Sequence, residues 1–253
     1  MATPDDIWIM IRYLLIFLCA CSAQAVPVAA RQNASLYYGL QYWWTFNAGV
    51  TNKVTPQAGT NEFAFVGPRM VVNGVMNYGA QTSNGISYLV CPPINFYPTN
   101  SDMTVSVWVN PTVQTLSSPT SNPRIIAMSA SATNFWQIGM GNANVVRTNC
   151  FYAIMGTNSA YIAGTISYNN TYHIAVTFRM ATQVMQIYIN GINTALTNMA
   201  YAAIGSSGTT DSKIYLGVRP DTVGDYSGMI DDLRIYNRVL SAAEIQALAT
   251  PAQ

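Results

Sequence analysis

From about residue 36 onward, hydrophobic positions alternate with polar ones. Val105, Val107 and Val109 alternate with Thr104, Ser106 and Trp108. Ile174, Val176 and Phe178 alternate with His173, Ala175 and Thr177, and Met185, Ile187 and Ile189 with Gln186, Tyr188 and Asn190. Side chains of a strand point by turns to its two faces, so a period of two predicts strands with one face on a core. Asn190-Gly191, set between apolar runs, predicts a tight hairpin, because a two-residue turn needs positive φ. Asn73-Gly74 and Asn84-Gly85 mark two further turns, and residues 117–123 (SSPTSNP) read as a loop. One helix is predicted. Ser241-Ala-Ala-Glu244 is a capping box, Ile245 and Leu248 give an apolar side, and Pro251 follows the end. Many short strands, with no linker, internal repeat or charge run between them, predict an all-β sandwich or barrel.

Composition narrows the function classes. Charged residues make up 8% of the 253, with 11 Lys and Arg against 10 Asp and Glu. A net charge of +1 excludes an electrostatic nucleic-acid binder, which needs a basic face. A hydrophobic share of 50% argues against disorder. The polar surface must be built from Asn, Thr, Ser and Gln, which suits a secreted, glycan-facing or assembled protein.

The N-terminus reads as a targeting segment. Tyr13–Ala20 is a short apolar run behind Arg12, and Ala23-Gln24-Ala25 is a cleavage signal, so residues 1–25 form a secretory signal peptide. Asp5 and Asp6 are out of place in such a peptide, and a start at Met10 gives a better one. Residues 26–35 then form a short lead and 36–250 the domain. The apolar run falls short of the ~20 residues of a membrane span, so no transmembrane span is expected. Leu18-Cys-Ala-Cys21 also resembles a lipobox, which would acylate Cys21 instead. In an oxidising compartment Cys91 and Cys150 have two outcomes, separate buried thiols or a disulfide. A disulfide would close about 60 residues and add roughly 4 kcal/mol. Asn33 and Asn169 lie in Asn-x-Ser/Thr sequons and are expected to carry glycans in a glycosylating host.

More specific is Gly228-Met-Ile-Asp-Asp-Leu-Arg-Ile-Tyr-Asn-Arg-Val-Leu-Ser-Ala-Ala-Glu-Ile245. It resembles the C-terminal signature of the concanavalin A-like, laminin-G-like (pentraxin-like) jelly-roll domains. Residues 39–47 (GLQYWWTFN), 78–90, 103–111 (MTVSVWVNP) and 172–191 resemble earlier strands of that family in the expected order. The resemblance covers residues 36–249. It implies a two-sheet antiparallel jelly-roll sandwich with one short C-terminal helix. It also implies a secreted or cell-surface module that binds glycan or a surface glycoprotein, often with structural Ca2+, and it leaves room for a homo-oligomer. In the family, an aspartate after the opening strand and the first aspartate of the C-terminal signature lie near the metal. The matching positions are Asn47 and Asp231, and Asn47 lacks the charge. By strand alternation Asp231 shares the inward face of Leu233 and Ile235.

Some relatives in the wider fold are glycoside hydrolases, whose Glu-x-Asp-x-x-Glu is absent. The only glutamates are Glu62 and Glu244, and Glu244 is explained by the helix cap. Adjacent Asp231 and Asp232 point to opposite strand faces, and the loop pair Asp221 and Asp225 has no supporting motif. His173 is the only histidine, which excludes a multi-histidine metal site. The expectation is therefore a non-catalytic lectin-like recognition or adhesion domain. A structural coat or fibre subunit using the same sandwich is the alternative, and a hydrolase is the weakest reading. Trp43 and Trp44, adjacent on a strand, must face opposite ways. Tyr161, Tyr168, Tyr201 and Tyr226 are expected in exposed loops.

Overall fold

The computed structural model describes residues 35–46, 53–66, 71–74, 77–82, 88–94, 101–113, 122–129, 135–141, 150–155, 160–163, 166–198, 212–218 and 226–250. The chain divides into Met1–Tyr37 and Tyr38–Gln253. In the first unit only a helical turn at 35–37 is described. The expected signal peptide, the alternative lipid site Cys21, the sequon Asn33 and the expected calcium residue Asn47 lie outside the described residues. Among the described residues, no helix is long and apolar enough to cross a membrane.

The second unit is built of strands. In chain order they are β1 (Leu40–Trp44), β2 (Lys53–Val54), β3 (Phe63–Val66), β4 (Val71–Gly74), β5 (Asn77–Thr82), β6 (Tyr88–Cys91), β7 (Met103–Pro111), β8 (Arg124–Ser129) and β9 (Phe135–Met140). Then come β10 (Phe151–Met155), β11 (Ala160–Ala163), β12 (Tyr172–Arg179), β13 (Val184–Ile189), β14 (Ile192–Asn193), β15 (Leu196–Asn198), β16 (Ile214–Leu216) and β17 (Gly228–Tyr236). One helix, α1 (Ala242–Leu248), closes the domain. Eight strands form one antiparallel sheet in the order β14-β13-β12-β7-β17-β5-β4, with β1 also paired to β17. Nine form the other, β15-β11-β10-β9-β8-β16-β6-β3-β2. This is the expected two-sheet jelly-roll sandwich.

The core lies between the sheets. Val105, Val107 and Val109 of β7 and Ile174, Val176 and Phe178 of β12 face Ile126 and Met128 of β8, Trp136 and Ile138 of β9, and Phe151 and Ala153 of β10. Each fully buried aliphatic or aromatic side chain stabilises the sandwich by about 1.5–3 kcal/mol. Trp44 points inward, edge-on to Phe63 at 4.9 Å between ring centroids, while its neighbour Trp43 points away.

The predicted hairpin joins β13 to β14 through Asn190 and Gly191, both at positive φ (52° and 80°). A Cβ on Gly191 would sit 3.0 Å from Gln246 Cα and 3.2 Å from Ala249 Cβ, so glycine also lets α1 pack on this turn. The capping box forms as predicted, with Ser241 Oγ accepting the Glu244 N–H and Glu244 accepting the Ser241 N–H. Glu244 also pairs with Arg238 at 2.7 Å.

The expected disulfide does not form. Cys91 and Cys150 are both buried thiols. Cys91 lies on β6 and Cys150 directly precedes β10, four strands away in the same sheet. Four strand spacings are about 19 Å, whereas a disulfide needs Cα atoms within about 7 Å. Burial pushes the Cys91 thiol up to about 12, which keeps it protonated.

Candidate functional site

Each sheet has an outer face, and both carry polar side chains that are nonetheless buried. On the eight-stranded sheet, the outer face is reached through a bulge. Ile230 pairs with Val109 and Asp231 with Trp108, but Arg234 comes next, opposite Ser106. The extra residue is Asp232, at φ 47°. One extra residue reverses the alternation, so Asp231 faces outward beside Trp108 rather than inward with Leu233 and Ile235. This corrects the expected orientation of Asp231.

The groups on this face satisfy one another. Asp232 accepts from Trp43 Nε1 and from Arg234 Nε at 3.1 Å, and Arg234 Nη2 lies 3.0 Å from its other oxygen. The guanidinium stacks over the Trp43 ring at 4.3 Å. Burial raises the Asp232 carboxyl above its ordinary range, with Arg234 and the two hydrogen bonds opposing it. Asp231 Oδ1 accepts the Asp232 N–H at 2.8 Å. His173 Nε2 lies 2.8 Å from Ser106 Oγ, and its ring packs 5.2 Å from Trp108. Burial, helped by the Arg234 charge, lowers His173 to about 3, so the ring is neutral. Thr104 Oγ1 donates to the Arg238 carbonyl and accepts the Leu240 N–H, tying down the segment that leads into α1.

Calcium needs six to eight oxygen ligands. Of the expected pair only Asp231 is described, and its carboxylate already accepts a backbone N–H. Among the described residues, no three His, Cys, Asp or Glu side chains cluster as a metal group would require. Asn169 is exposed in a turn at φ 63°, where its N–H donates to the Pro111 carbonyl at 2.6 Å. Tyr226 is not in an exposed loop. It is fully buried and donates to the Met229 carbonyl at 3.1 Å. Tyr168 is half-buried against the core, and Tyr201 lies outside the described residues.

The nine-stranded sheet differs. Its outer face opens at one end into a groove of about 620 Å³. Ala64, Val90, Pro92 and Pro93 supply apolar surface, and Thr60, Asn61, Glu62 and Lys213 supply polar groups. Asn61 holds the groove together. Its backbone carbonyl accepts from Trp44 Nε1 at 2.8 Å, and its side-chain amide donates to the Pro93 carbonyl at 3.0 Å. The core tryptophan thus anchors one wall and the amide ties it to the other. Sequence reasoning missed this groove, because residues 61–64 and 90–93 meet only through strand pairing and carry no motif.

From the groove a single row of cross-strand partners runs along the face. Ala64 pairs with Val90, Val90 with Tyr215, Tyr215 with Ala127, and Ala127 with Gln137. A second bulge, at Ile125, turns both Ile125 and Ile126 into the core and sends Arg124 to the outer face, opposite Gly139. Arg124 Nε donates to Gln137 Oε1 at 2.7 Å, and Nη1 donates to the Asn122 carbonyl. Its guanidinium lies 5.6 Å from the Tyr152 ring centroid. A Cβ on residue 139 would fall 2.3 Å from the Pro123 carbonyl oxygen and 2.5 Å from the Tyr152 hydroxyl, so only glycine fits there.

Comparison with known proteins gives the same architecture. The family model described as the concanavalin A-like lectin/glucanases superfamily matches residues 83–246. No curated protein sequence matches the chain. Among solved structures, the chain is similar to the binding domain of Paraclostridial Mosquitocidal Protein 1. The TM-score is 0.58 and the identity 17%, covering 85% of this chain and 52% of that one. It is similar to domain 4 of an extracellular GH43 arabinanase from Geobacillus stearothermophilus, solved with arabinotriose. There the TM-score is 0.57 and the identity 19%, covering 83% of this chain and 98% of that one. Trypanosoma rangeli sialidase gives 0.59 and 16%, covering 84% of this chain and 32% of that one. The chain therefore spans about half of the mosquitocidal binding domain and a third of the sialidase. At these identities the likeness is one of fold.

Proposed function

The chain belongs to the concanavalin A-like lectin/glucanases superfamily, and we propose that it is a secreted, non-catalytic lectin-like domain that binds glycan, free or on a surface glycoprotein. The observation that carries this reading is the groove on the outer face of the nine-stranded sheet. It has the size of a small-ligand site, and it combines apolar surface with a few placed polar groups, as such sites do. The apolar C–H faces of a sugar fit Val90, Pro92 and Pro93, and its hydroxyls fit Thr60, Asn61, Glu62 and Lys213. The arabinotriose bound to the similar arabinanase domain supports the ligand class.

The chemistry supports binding over hydrolysis. The usual glycosidase route needs two carboxylates flanking the bond. Among the described residues, Glu62 is the one carboxylate lining the groove. Asp232 is committed to Arg234 and Trp43, and Glu244 to the helix cap.

The test is a glycan array probed with the purified domain and with Ala64→Trp. Ala64 is exposed on the groove surface, so an indole there fills the site without entering the core. Glycan binding by the native domain and its loss in the variant, at an unchanged melting midpoint, are expected. Absence of any glycan binding by the native domain would overturn the reading and favour a structural coat or fibre role.

A further inference from the structure

Tyr38 is the most exposed large apolar side chain among the described residues, at 75%. An exposed tyrosine ordinarily keeps its rotamer freedom, and a ligand that fixes it must offset that entropy. This ring is already fixed. It lies 5.3 Å from the Arg238 guanidinium carbon, measured from the ring centroid, and the Tyr38 carbonyl accepts from Arg238 Nε at 2.7 Å. Arg238 is held in turn. Its terminal nitrogens donate to the two Glu244 oxygens at 3.0 and 2.7 Å, and its guanidinium also lies 5.8 Å from the Tyr236 ring centroid. Glu244 is fixed by the cap of α1. With one face on the guanidinium, the Tyr38 ring turns its other face to solvent.

Polar groups flank the ring. Gly39 follows it at φ 74°, and a Cβ there would stand 2.8 Å from Asn237 Oδ1 and 3.0 Å from Arg238 Cδ, so the missing side chain lets both residues pack against the turn. The Asn237 N–H donates to the Gly39 carbonyl at 2.9 Å, and the residue itself is exposed, which sets its amide beside the turn in contact with solvent. Glu244 neutralises the Arg238 charge, so the surface around the ring is uncharged. An aromatic face gives apolar contact, and an amide both donates and accepts. That pairing matches a neutral pyranose, which has apolar C–H groups on one face and hydroxyls around its rim.

We infer that Tyr38 and Asn237 form a second sugar-binding position, which takes one neutral hexopyranose residue with its C–H face on the ring and its hydroxyls on the amide. The ligand class rests on the lectin reading above, and the place does not. The position is separate from the groove. β1 alone puts about 13 Å between Leu40, beside this turn, and Trp44, whose indole anchors a groove wall. One ring face and one amide hold a sugar with a dissociation constant on the order of 1 mM. This is too weak to hold a glycan through the washes of an array, where the groove decides retention.

The experiment titrates the methyl glycosides of galactose, glucose and mannose into the isotope-labelled native domain and into Tyr38→Ala, Tyr38→Phe and Asn237→Ala, following backbone amide shifts. The substitutions change exposed side chains and keep the Tyr38 carbonyl that binds Arg238. In the native domain at least one sugar is expected to shift the Gly39 and Asn237 amides saturably. Tyr38→Ala should lose these shifts and keep those at Asn61 and Ala64 in the groove. Tyr38→Phe should retain them, because the ring face rather than the hydroxyl makes the contact. Asn237→Ala should weaken the response at Gly39 about fivefold, as loss of a hydrogen bond does. Silence at Gly39 and Asn237 in the native domain, while the groove amides respond, would overturn the second position and leave the lectin reading standing. Shifts at Gly39 and Asn237 that persist unchanged in Tyr38→Ala would overturn it as well. Silence at both places, together with an empty glycan array, would overturn both readings.

Discussion

The two outer faces of this sandwich are built by the same device and put to different ends. In each, a single bulge in a strand turns a charged side chain away from the core: Arg234 and its partner Asp232 in β17, Arg124 in β8. On the eight-stranded sheet the polar groups close on one another. Asp232, Arg234 and Trp43 form one unit and Ser106 with His173 another, while Thr104 fastens the segment leading into α1. His173 Nδ1 is buried without a hydrogen-bond partner there. On the nine-stranded sheet the row from Gln137 through Ala127 to Tyr215 is buried, and its end at Val90 and Ala64 lines an open groove. Both faces use buried polar groups to hold the fold, and the second also carries an open groove at one end. Bulges are over-represented next to functional sites because they re-aim side chains, but re-aiming alone does not make a site.

The largest expected effect tests the closed face. Asp232→Ala leaves the Arg234 guanidinium buried without its carboxylate and should destabilise the domain by about 3–5 kcal/mol. A loss under about 1 kcal/mol in chemical denaturation would show that the pair is solvated rather than structural. Gly191→Ala should cost about 2 kcal/mol, because alanine disfavours φ 80° and its methyl group would press on Gln246 and Ala249. An unchanged melting midpoint would contradict the packing of α1 on this turn.

The His173 effect depends on pH. The unfolded chain protonates this histidine near 6.5, and the folded domain only at about 3. Stability is therefore complete above about pH 6.5 and falls as pH drops through that window, by about 1.4 kcal/mol per pH unit from this group. Asp232, with its carboxyl held high by burial, acts in the opposite sense, so the native domain alone does not isolate the histidine. Denaturation of His173→Gln between pH 7 and pH 4 should show a shallower acid-side loss than the native domain. Parallel profiles would contradict burial of the neutral ring. The smallest stability effect is on the open face. Ala64→Trp should shift the folding free energy by less than about 0.5 kcal/mol, as exposed substitutions do, while abolishing glycan binding.

The strand pattern made the fold legible. Alternation in β7, β12 and β13, the Asn190-Gly191 hairpin and the Ser241–Glu244 capping box all read directly from local residues. What alternation does not reveal is its own interruption. Ile125-Ile126 and Asp231-Asp232 look like ordinary strand residues, yet each pair brackets a bulge, and the face of Arg124 and of Asp231 follows from that. The cysteines misled for a related reason: spacing along the chain says nothing of the three strands that separate β6 from β10 in the sheet. The groove was illegible because its walls come from two distant segments whose meeting is a matter of register. Tyr226 had the composition of an exposed loop around it, and only the burial of its hydroxyl against Met229 shows its place.

The central claim, that the ligand lies on the outer face of the nine-stranded sheet, is tested most directly by mapping backbone amide chemical shifts of the isotope-labelled domain during titration with the tightest glycan from the array. Perturbations are predicted at Asn61, Ala64, Val90 and Lys213, which line the groove. They should be absent at Ser106, Trp108, His173 and Arg234. Perturbations confined to those four residues, with none in the groove, would contradict the account.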